Sequence, residues 1–159
     1  MYLTHWEFVA RVKKLNSGYW NEGAPYRWEY MSYVIDMLKI MGAEKIIEAG
    51  ASNMPLKSDS FRFDYPAYDL NKPFPADVKP GFDAFVALQV WEHLDNQADA
   101  FREVMRVSSG AVLSFPYKWR HGDARHKGID KAIIKQWTCG VEPVHIQEIK
   151  NRIVYVWRF

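Results

Sequence analysis

The first forty residues carry apolar side chains at helical spacing, interrupted once by a polar segment. Thr4 and Glu7 have the spacing of a capping box, and the apolar residues that follow recur at helical spacing as far as Leu15, which predicts a short first helix. The polar and aromatic residues 19–26 favour a loop. A second helix is expected over 27–42, because its apolar residues share one face and the segment ends in glycine.

After residue 43 the period changes, and short apolar runs alternate with helical segments. Strands are predicted at five runs and a hairpin at two more, which together cover 44–49, 61–64, 67–70, 82–90, 110–115, 144–149 and 153–159. Asp95 and Asp130 are suited to cap helices between these strands. Strands that alternate with helices predict an α/β layer structure, with a mostly parallel sheet and an antiparallel C-terminal hairpin.

Composition narrows the class of protein. The chain has 159 residues, of which 48% are hydrophobic and 25% are charged, so we expect one globular domain over 1–159 rather than a disordered or fibrous protein. No uncharged apolar run has membrane-spanning length and the first residues do not form a signal peptide, which predicts a cytoplasmic protein without membrane contact. Cys139 is the only cysteine, which excludes an internal disulfide. The net charge of +2 makes nucleic acid an unexpected partner.

Candidate chemistry is expected where the parallel strands end, because open α/β sheets bind ligands beyond the carboxyl ends of their strands. The first such turn contains Glu48, Gly50, Ala51 and Ser52. Gly50 and its small neighbours let a ligand approach the backbone closely, and Glu48 is an acceptor for a cationic group. The second and third glycines of the dinucleotide fingerprint are absent, which argues against a nicotinamide-dependent reductase.

Four segments in order resemble the class I S-adenosylmethionine-dependent methyltransferases. They are IIEAGAS (46–52), DLNKPFP (69–75), FDAFVALQVWEHL (82–94) and FREVMRV (101–107), and the similarity extends over about residues 30–117. The resemblance implies a three-layer Rossmann-like methyltransferase fold with an N-terminal helical lid segment at 1–42 and a core at 43–159. It also implies S-adenosylmethionine as the cofactor and S-adenosylhomocysteine as the product. The chain is short for this family between the second and third strands, so we expect an abbreviated fold there and a homodimer that covers the open side.

The same resemblance implies a set of cofactor-binding residues. Ser52 stands where a glycine is more usual in the family, and a carboxylate near the end of the second strand is expected to hold the ribose hydroxyls. Asp64 is the preferred ribose acid, because Asp69 and Leu70 match the next family motif, beside the adenine; Asp69 is the alternative. The full expected set is Glu48, Gly50, Ala51, Ser52, Asp64, Asp69, Leu70, Gln89 and Val90.

Two histidines are candidates for catalysis. His93 follows the strand predicted at 82–90, where it can act as a general base near neutral pH or, together with Glu92, order the loop by hydrogen bonds. His126 lies in the basic loop 117–128, where the family builds its substrate pocket, and is the preferred base. A solvated basic loop is the alternative interpretation of this segment.

Acceptor binding is assigned to aromatic and basic residues, because Trp119 offers a flat surface for a sugar or an aromatic ring. The expected acceptor residues are Tyr19, Trp20, Tyr117, Trp119 and Arg120. His121, Asp123 and His126 match no strong metal-ligand spacing, so no metal is expected. The sequence thus predicts methyl transfer to a small molecule such as a sugar or another hydroxyl-bearing metabolite. The alternative is an inactive methyltransferase-like module that binds a partner or nucleic acid through loop 117–128.

Overall fold

The computed structural model describes residues 1–120 and 122–159. The helices in these ranges are α1 (His5–Leu15), α2 (Gly18–Met41), α3 (Gln97–Val107) and α4 (Lys131–Trp137), with a short 3-10 helix at Trp91–His93. The strands are β1 (Ile46–Ala49), β2 (Phe61–Phe63), β3 (Ala84–Leu88), β4 (Gly110–Pro116), β5 (His145–Ile149) and β6 (Arg152–Arg158). None of these helices is both long enough and apolar enough to cross a membrane.

All six strands belong to one sheet, in the order β2-β1-β3-β4-β6-β5. Strands β1 to β4 run parallel, with Ile47 of β1 beside Phe61 of β2 and Phe85 of β3. Strand β6 is antiparallel to both β4 and β5. The predicted mostly parallel sheet with an antiparallel C-terminal hairpin is therefore confirmed. Because the four parallel strands end at the same edge, the loops that follow them meet there.

Helices cover both faces of the sheet. On one face, Phe8 of α1 and Leu38 of α2 are buried in the same cluster as Val86 of β3. On the other face, Phe101 of α3 packs edge-on against Trp157 of β6, with ring centroids 5.1 Å apart. Each such buried side chain contributes about 1.5–3 kcal/mol to folding. The expected three-layer arrangement is confirmed.

Of the three helix caps predicted from the sequence, two are confirmed and one is wrong. Both hydrogen bonds of the capping box at Thr4 are present, at 2.8 and 3.3 Å. Asp130 also caps α4 as predicted, since it accepts the Ile133 backbone N–H at 2.9 Å. The cap predicted at Asp95 is wrong, because α3 begins one residue later and the Asp95 backbone N–H donates to the Asn71 side chain at 2.7 Å.

The loop predicted at 19–26 is also wrong, since α2 begins directly after Ser17 and runs through this segment. Ser17 accepts the Trp20 backbone N–H at 3.3 Å. Trp20 then packs edge-on against Phe8, with ring centroids 6.2 Å apart. The cap and this packing keep the first turns helical, although Pro25 has no N–H to donate to the preceding turn.

The connections on either side of β2 contain no helix or further strand among the described residues. The strand predicted at 67–70 is wrong, because this segment forms turns. Its Leu70 joins Phe74 and Val78 in covering the sheet where a helix would otherwise lie. The Phe74 ring lies 4.5 Å from the ring of Phe63, so the apolar residues of the segment serve this packing rather than a strand. The expected abbreviation of the fold in this region is confirmed.

Candidate cofactor and acceptor site

The turn after β1 brings the Gly50 backbone to a crevice at the carboxyl edge of the sheet. Gly50 has a φ of +69°, and a Cβ at this position would lie 2.7 Å from Cγ2 of Val90. Glycine is therefore required at 50 by both its conformation and this contact. Val90 follows β3 after a left-handed turn at Gln89, whose φ is +58° and whose side chain donates to Ser114 Oγ at 3.0 Å.

Two openings flank Gly50. The main cleft has a volume of about 460 Å³ and is lined by residues that include Gly50, Tyr65, Tyr68, Asp69, Leu70, Val90, His93, Leu94 and Arg125. Its size and its largely apolar and aromatic wall are typical of small-molecule sites. The inner cavity, of about 90 Å³, lies toward α2 and is lined by residues that include Tyr19, Trp20, Tyr30, Glu48, Gly50 and Ala51.

The two candidate ribose acids have different surroundings. Asp64 lies 2.9 Å from the Arg62 guanidinium, and its other carboxylate oxygen accepts the Ser52 backbone N–H at 3.2 Å. Asp69 lines the main cleft and accepts the Asn71 backbone N–H at 3.0 Å. Asp64 thus braces the turn after β1, whereas Asp69 is an acid on the cleft wall. The assignment of the ribose to Asp64 stays a prediction.

Glu48 is buried beside the inner cavity and both of its carboxylate oxygens are bonded to the protein. They accept the backbone N–H groups of Leu56 at 2.7 Å and Lys57 at 2.9 Å. Burial raises the pKa of Glu48, and the two hydrogen bonds oppose that rise. The carboxylate therefore holds the β1–β2 connection against the end of β1.

Glu92, His93 and His126 form a cluster beside the main cleft, which we name the Glu92 cluster. The Glu92 side chain has no exposed surface, and neither of its oxygens has a hydrogen-bond partner among the described residues. Glu92 Oε1 lies 3.8 Å from Nε2 of His93 and 3.8 Å from Nε2 of His126. Burial raises the pKa of Glu92 to about 7. Burial also lowers the pKa of His93, and His126 lowers it further.

The His126 ring is held in position from two sides. Its Nδ1 lies 2.6 Å from Asp123 Oδ1, and this hydrogen bond lowers the pKa of Asp123. Its plane stacks on Trp119 with ring centroids 5.3 Å apart. Trp119 in turn donates from Nε1 to the Asn151 carbonyl at 2.7 Å and lies under the Arg152 guanidinium, 4.5 Å from the ring centroid. These contacts direct Nε2 of His126 toward Glu92.

The structure thus brings together two histidines that the sequence indicated separately. Glu92 was missed as a site residue: the sequence placed it beside His93 as a loop-ordering group, but no local pattern reveals that its carboxylate is buried between two imidazoles. His121, considered from the sequence with Asp123 and His126 as a metal-ligand set, lies outside the described residues. Of this set, the structure describes only the contact between Asp123 and His126.

The five expected acceptor residues do not lie together: two line the inner cavity, two line a surface groove and one is buried. Tyr19 and Trp20 line the inner cavity. Trp119 and Arg120 line a shallow surface groove of about 440 Å³. Tyr117 is buried and packs in the core.

The sequence also indicated no role for two arginines that the structure shows to be buried. The Arg27 guanidinium lies 3.5 Å from the Tyr19 ring centroid, and Arg152 is buried with no described residue as a hydrogen-bond partner for its Nε. The ion pairs of the described residues include neither of them. The alternation of β6 did place Arg152 on the same strand face as the buried Val154, and this was the available signal.

Comparisons with known proteins bear on the fold. No protein-family model matches the chain, and no curated protein matches its sequence. Among solved structures, the methyltransferase domain of bacterial CtHen1 has a TM-score of 0.60 at 16% identity, over 84% of this chain and 99% of that one. Magnesium protoporphyrin IX methyltransferase from Synechocystis PCC 6803, with bound S-adenosylhomocysteine, has a TM-score of 0.60 at 9% identity, over 93% and 92%.

A further similar structure is the N-terminal domain of EvdMO1 with S-adenosylhomocysteine bound, with a TM-score of 0.54 at 15% identity over 80% of each chain. At these identities the likeness concerns the fold. It agrees with the strand order, the helices on both faces and the antiparallel C-terminal pair. The chain therefore has the fold of the class I S-adenosylmethionine-dependent methyltransferases.

Proposed function

We propose that this chain is an enzyme that transfers a methyl group from S-adenosylmethionine to a small-molecule acceptor. The observation that carries the proposal is the exposed Gly50 backbone on the wall of the main cleft, at a position where a φ of +69° and the nearby Val90 side chain both require glycine. The similar structures that hold S-adenosylhomocysteine support the choice of cofactor.

The residues around Gly50 fit a nucleoside-bearing cofactor. Tyr68 and Leu70 offer an apolar wall for the adenine, and Asp69 offers a carboxylate for the ribose hydroxyls, with Asp64 as the other candidate. When bound, S-adenosylmethionine supplies a methyl group on a positively charged sulfur. The remaining residues of the proposed cofactor site are Glu48, Ala51, Ser52, Gln89 and Val90.

The Glu92 cluster is the proposed acceptor end of the site. His93 lines the main cleft, so an acceptor in the cleft reaches the cluster. Because Nδ1 of His126 is bonded to Asp123, Nε2 is the nitrogen that can take a proton from an acceptor hydroxyl, and His93 is the second candidate base. Tyr19, Trp20, Tyr117, Trp119 and Arg120 stay the acceptor residues proposed from the sequence, for a sugar or another hydroxyl-bearing metabolite, although they lie at the inner cavity, in the surface groove and in the core rather than on the main cleft.

An inactive binding module that uses loop 117–128 is less well supported, because His126 of that loop faces inward to Glu92. The absence of nucleic acid and membrane partners, the homodimer, the cytoplasmic location and the single domain with its lid segment 1–42 stay predictions from the sequence.

Calorimetric titration with S-adenosylmethionine and S-adenosylhomocysteine tests the cofactor. We expect both to bind and Gly50→Ala to weaken binding at least tenfold, about 1.4 kcal/mol, because the added Cβ meets Val90. Gly42→Ala is the matched control, since Gly42 has a φ of +68° but nothing within 4 Å of an added Cβ. Flat titrations of the unmodified chain at millimolar ligand would contradict the proposal.

His126→Ala tests the acceptor end. We expect the dissociation constant for S-adenosylhomocysteine to be unchanged and methyl transfer to fall by roughly 10² to 10⁴, measured as S-adenosylhomocysteine release with a panel of hydroxyl acceptors. The exposed His5, replaced by alanine, is the control. A full rate for His126→Ala across pH 6 to 9 would remove this histidine from the mechanism.

A further inference from the structure

Three ligand atoms of the Glu92 cluster converge on one point. A carboxylate oxygen of Glu92 and one ring nitrogen each of His93 and His126 all lie within 4.8 Å of one another. The two distances from Glu92 Oε1 are 3.8 Å. Ligands of a tetrahedral Zn²⁺ about 2.0–2.2 Å from the ion are separated by roughly 3.3–3.6 Å, so the two distances from Glu92 are only slightly longer than a closed site requires.

The Glu92 carboxylate lacks the partners that a buried charge requires. Glu92 is only 5% exposed, and no described residue donates a hydrogen bond to either oxygen. Arg152 acts on it electrostatically but forms no ion pair with it in the described part of the chain. An ionised carboxylate in this position needs a compensating positive charge, which a cation between it and the two imidazoles would supply.

The surroundings of His126 fix the ring in the orientation that a metal ligand needs. Asp123 lies 2.6 Å from Nδ1, which leaves the lone pair of Nε2 available on the side of Glu92. A carboxylate behind a ligating histidine is the usual arrangement at protein metal sites, because it fixes the tautomer and makes the ring a stronger donor. The stack on Trp119 restrains rotation of the ring.

We propose that Glu92, His93 and His126 bind a divalent transition-metal cation, of which Zn²⁺ is the best match, at the edge of the main cleft. Two imidazoles and one carboxylate suit Zn²⁺ and Co²⁺ better than the all-oxygen sites of Mg²⁺ and Ca²⁺. Three protein ligands leave at least one coordination position, and His93 also lines the main cleft, so this position is accessible to a ligand in the cleft.

The role of the cation, though not its binding, rests on the proposed function. Its positive charge would lie where an acceptor hydroxyl enters and would lower the pKa of that hydroxyl. With the cation bound, His93 and His126 are both ligands and neither can also be the base, so the proton of the hydroxyl would pass to water in the cleft. Removal of the metal by chelation would then abolish methyl transfer that His126 as a simple base would retain.

The binding test uses the full chain without an affinity tag, stripped of metal by a chelator. Titration with Co²⁺, followed by its visible absorption, and with Zn²⁺, followed by calorimetry, is expected to show one equivalent bound with micromolar or tighter affinity. Glu92→Gln, His93→Ala and His126→Ala should each weaken binding at least tenfold. His5→Ala and His145→Ala, which change exposed histidines outside the cluster, should not.

Circular dichroism and S-adenosylhomocysteine titration of each variant separate a lost metal ligand from a lost fold. No binding of Zn²⁺ or Co²⁺ at millimolar concentration by the unmodified chain would overturn the inference, as would full affinity in all three cluster variants. Metal binding without S-adenosylhomocysteine binding would overturn the proposed function and leave the metal site standing. The opposite result would overturn only the metal site.

Discussion

Two glutamates are buried at the carboxyl edge of the sheet, and they differ in what they touch. Glu48, at the end of β1, accepts backbone N–H groups at 2.7 and 2.9 Å. Glu92, after β3, has no hydrogen-bond partner among the described residues and faces two imidazoles. A carboxylate with two charge-assisted hydrogen bonds stabilises the fold, whereas one with none destabilises it. Glu48 is therefore held by the protein itself, whereas both oxygens of Glu92 are available to a ligand.

The same contrast distinguishes two halves of the crevice: the proposed cofactor half, around Gly50, and the proposed acceptor half, around Glu92. In the cofactor half, Asp64 and Asp69 each accept a backbone N–H, so the turns that border the cleft are already fixed. In the proposed acceptor half, Asp123 orients His126, but the oxygens of Glu92 have no hydrogen-bond partner in the part of the chain that the structure describes. The acids of the proposed cofactor half are therefore bonded to the protein itself, whereas Glu92 in the proposed acceptor half is not bonded to any described residue.

The largest expected effect is on stability, at Glu48. Glu48→Ala removes two hydrogen bonds to a charged acceptor and leaves the N–H groups of Leu56 and Lys57 without a partner, so we expect a loss of about 3 kcal/mol in the free energy of unfolding. Urea denaturation measures this loss. Glu48→Gln should lose roughly half as much, because its amide oxygen can still accept one N–H. A loss under 1 kcal/mol for Glu48→Ala would show that Glu48 is not structural.

The next effect concerns cofactor affinity. We expect Asp69→Ala to weaken S-adenosylhomocysteine binding by about 1.5–3 kcal/mol with a smaller loss of stability than Asp64→Ala, because Asp69 lies on the cleft wall and accepts only one backbone N–H. Asp64→Ala should instead lower stability, since it breaks the contacts with Ser52 and Arg62. Calorimetry and urea denaturation of both variants decide between the two acids. If Asp64→Ala alone abolishes binding, the preference for Asp64 drawn from the sequence is right.

Much of the fold could be predicted because its signals are local. The capping box at Thr4, the buried strand runs and the C-terminal hairpin all follow from side chains within a few residues. The errors arose where contacts distant in sequence decided the outcome. The segment 19–26 is helical partly because Trp20 packs on another helix, and 67–70 forms turns because Leu70 fills space above the sheet.

The candidate site was predictable only in part, for the same reason. The location of Gly50 follows from the rule that ligands bind where parallel strands end. His93 and His126 each had a local signal, but their meeting at Glu92 depends on the path of loop 117–128, which the Asp123 hydrogen bond and the Trp119 stack determine. The periodic pattern of apolar and polar residues along the chain does not reveal such contacts.

The smallest expected effect is the most direct test of the difference between Glu92 and Glu48. In metal-free protein at pH 8, Glu92→Gln should raise the free energy of unfolding by about 1 kcal/mol, because a neutral amide of the same shape replaces a buried charge to which no described residue donates a hydrogen bond. Glu48→Gln is the matched control and changes stability in the opposite direction. With added Zn²⁺ the unmodified chain should become more stable to unfolding than Glu92→Gln, since a ligand that binds only the folded state of the unmodified chain stabilises that state. Urea denaturation of the unmodified chain, Glu92→Gln and Glu48→Gln, with and without Zn²⁺, measures these differences. If Glu92→Gln destabilises the metal-free protein as much as Glu48→Gln does, then Glu92 is paired in solution and the two glutamates do not differ.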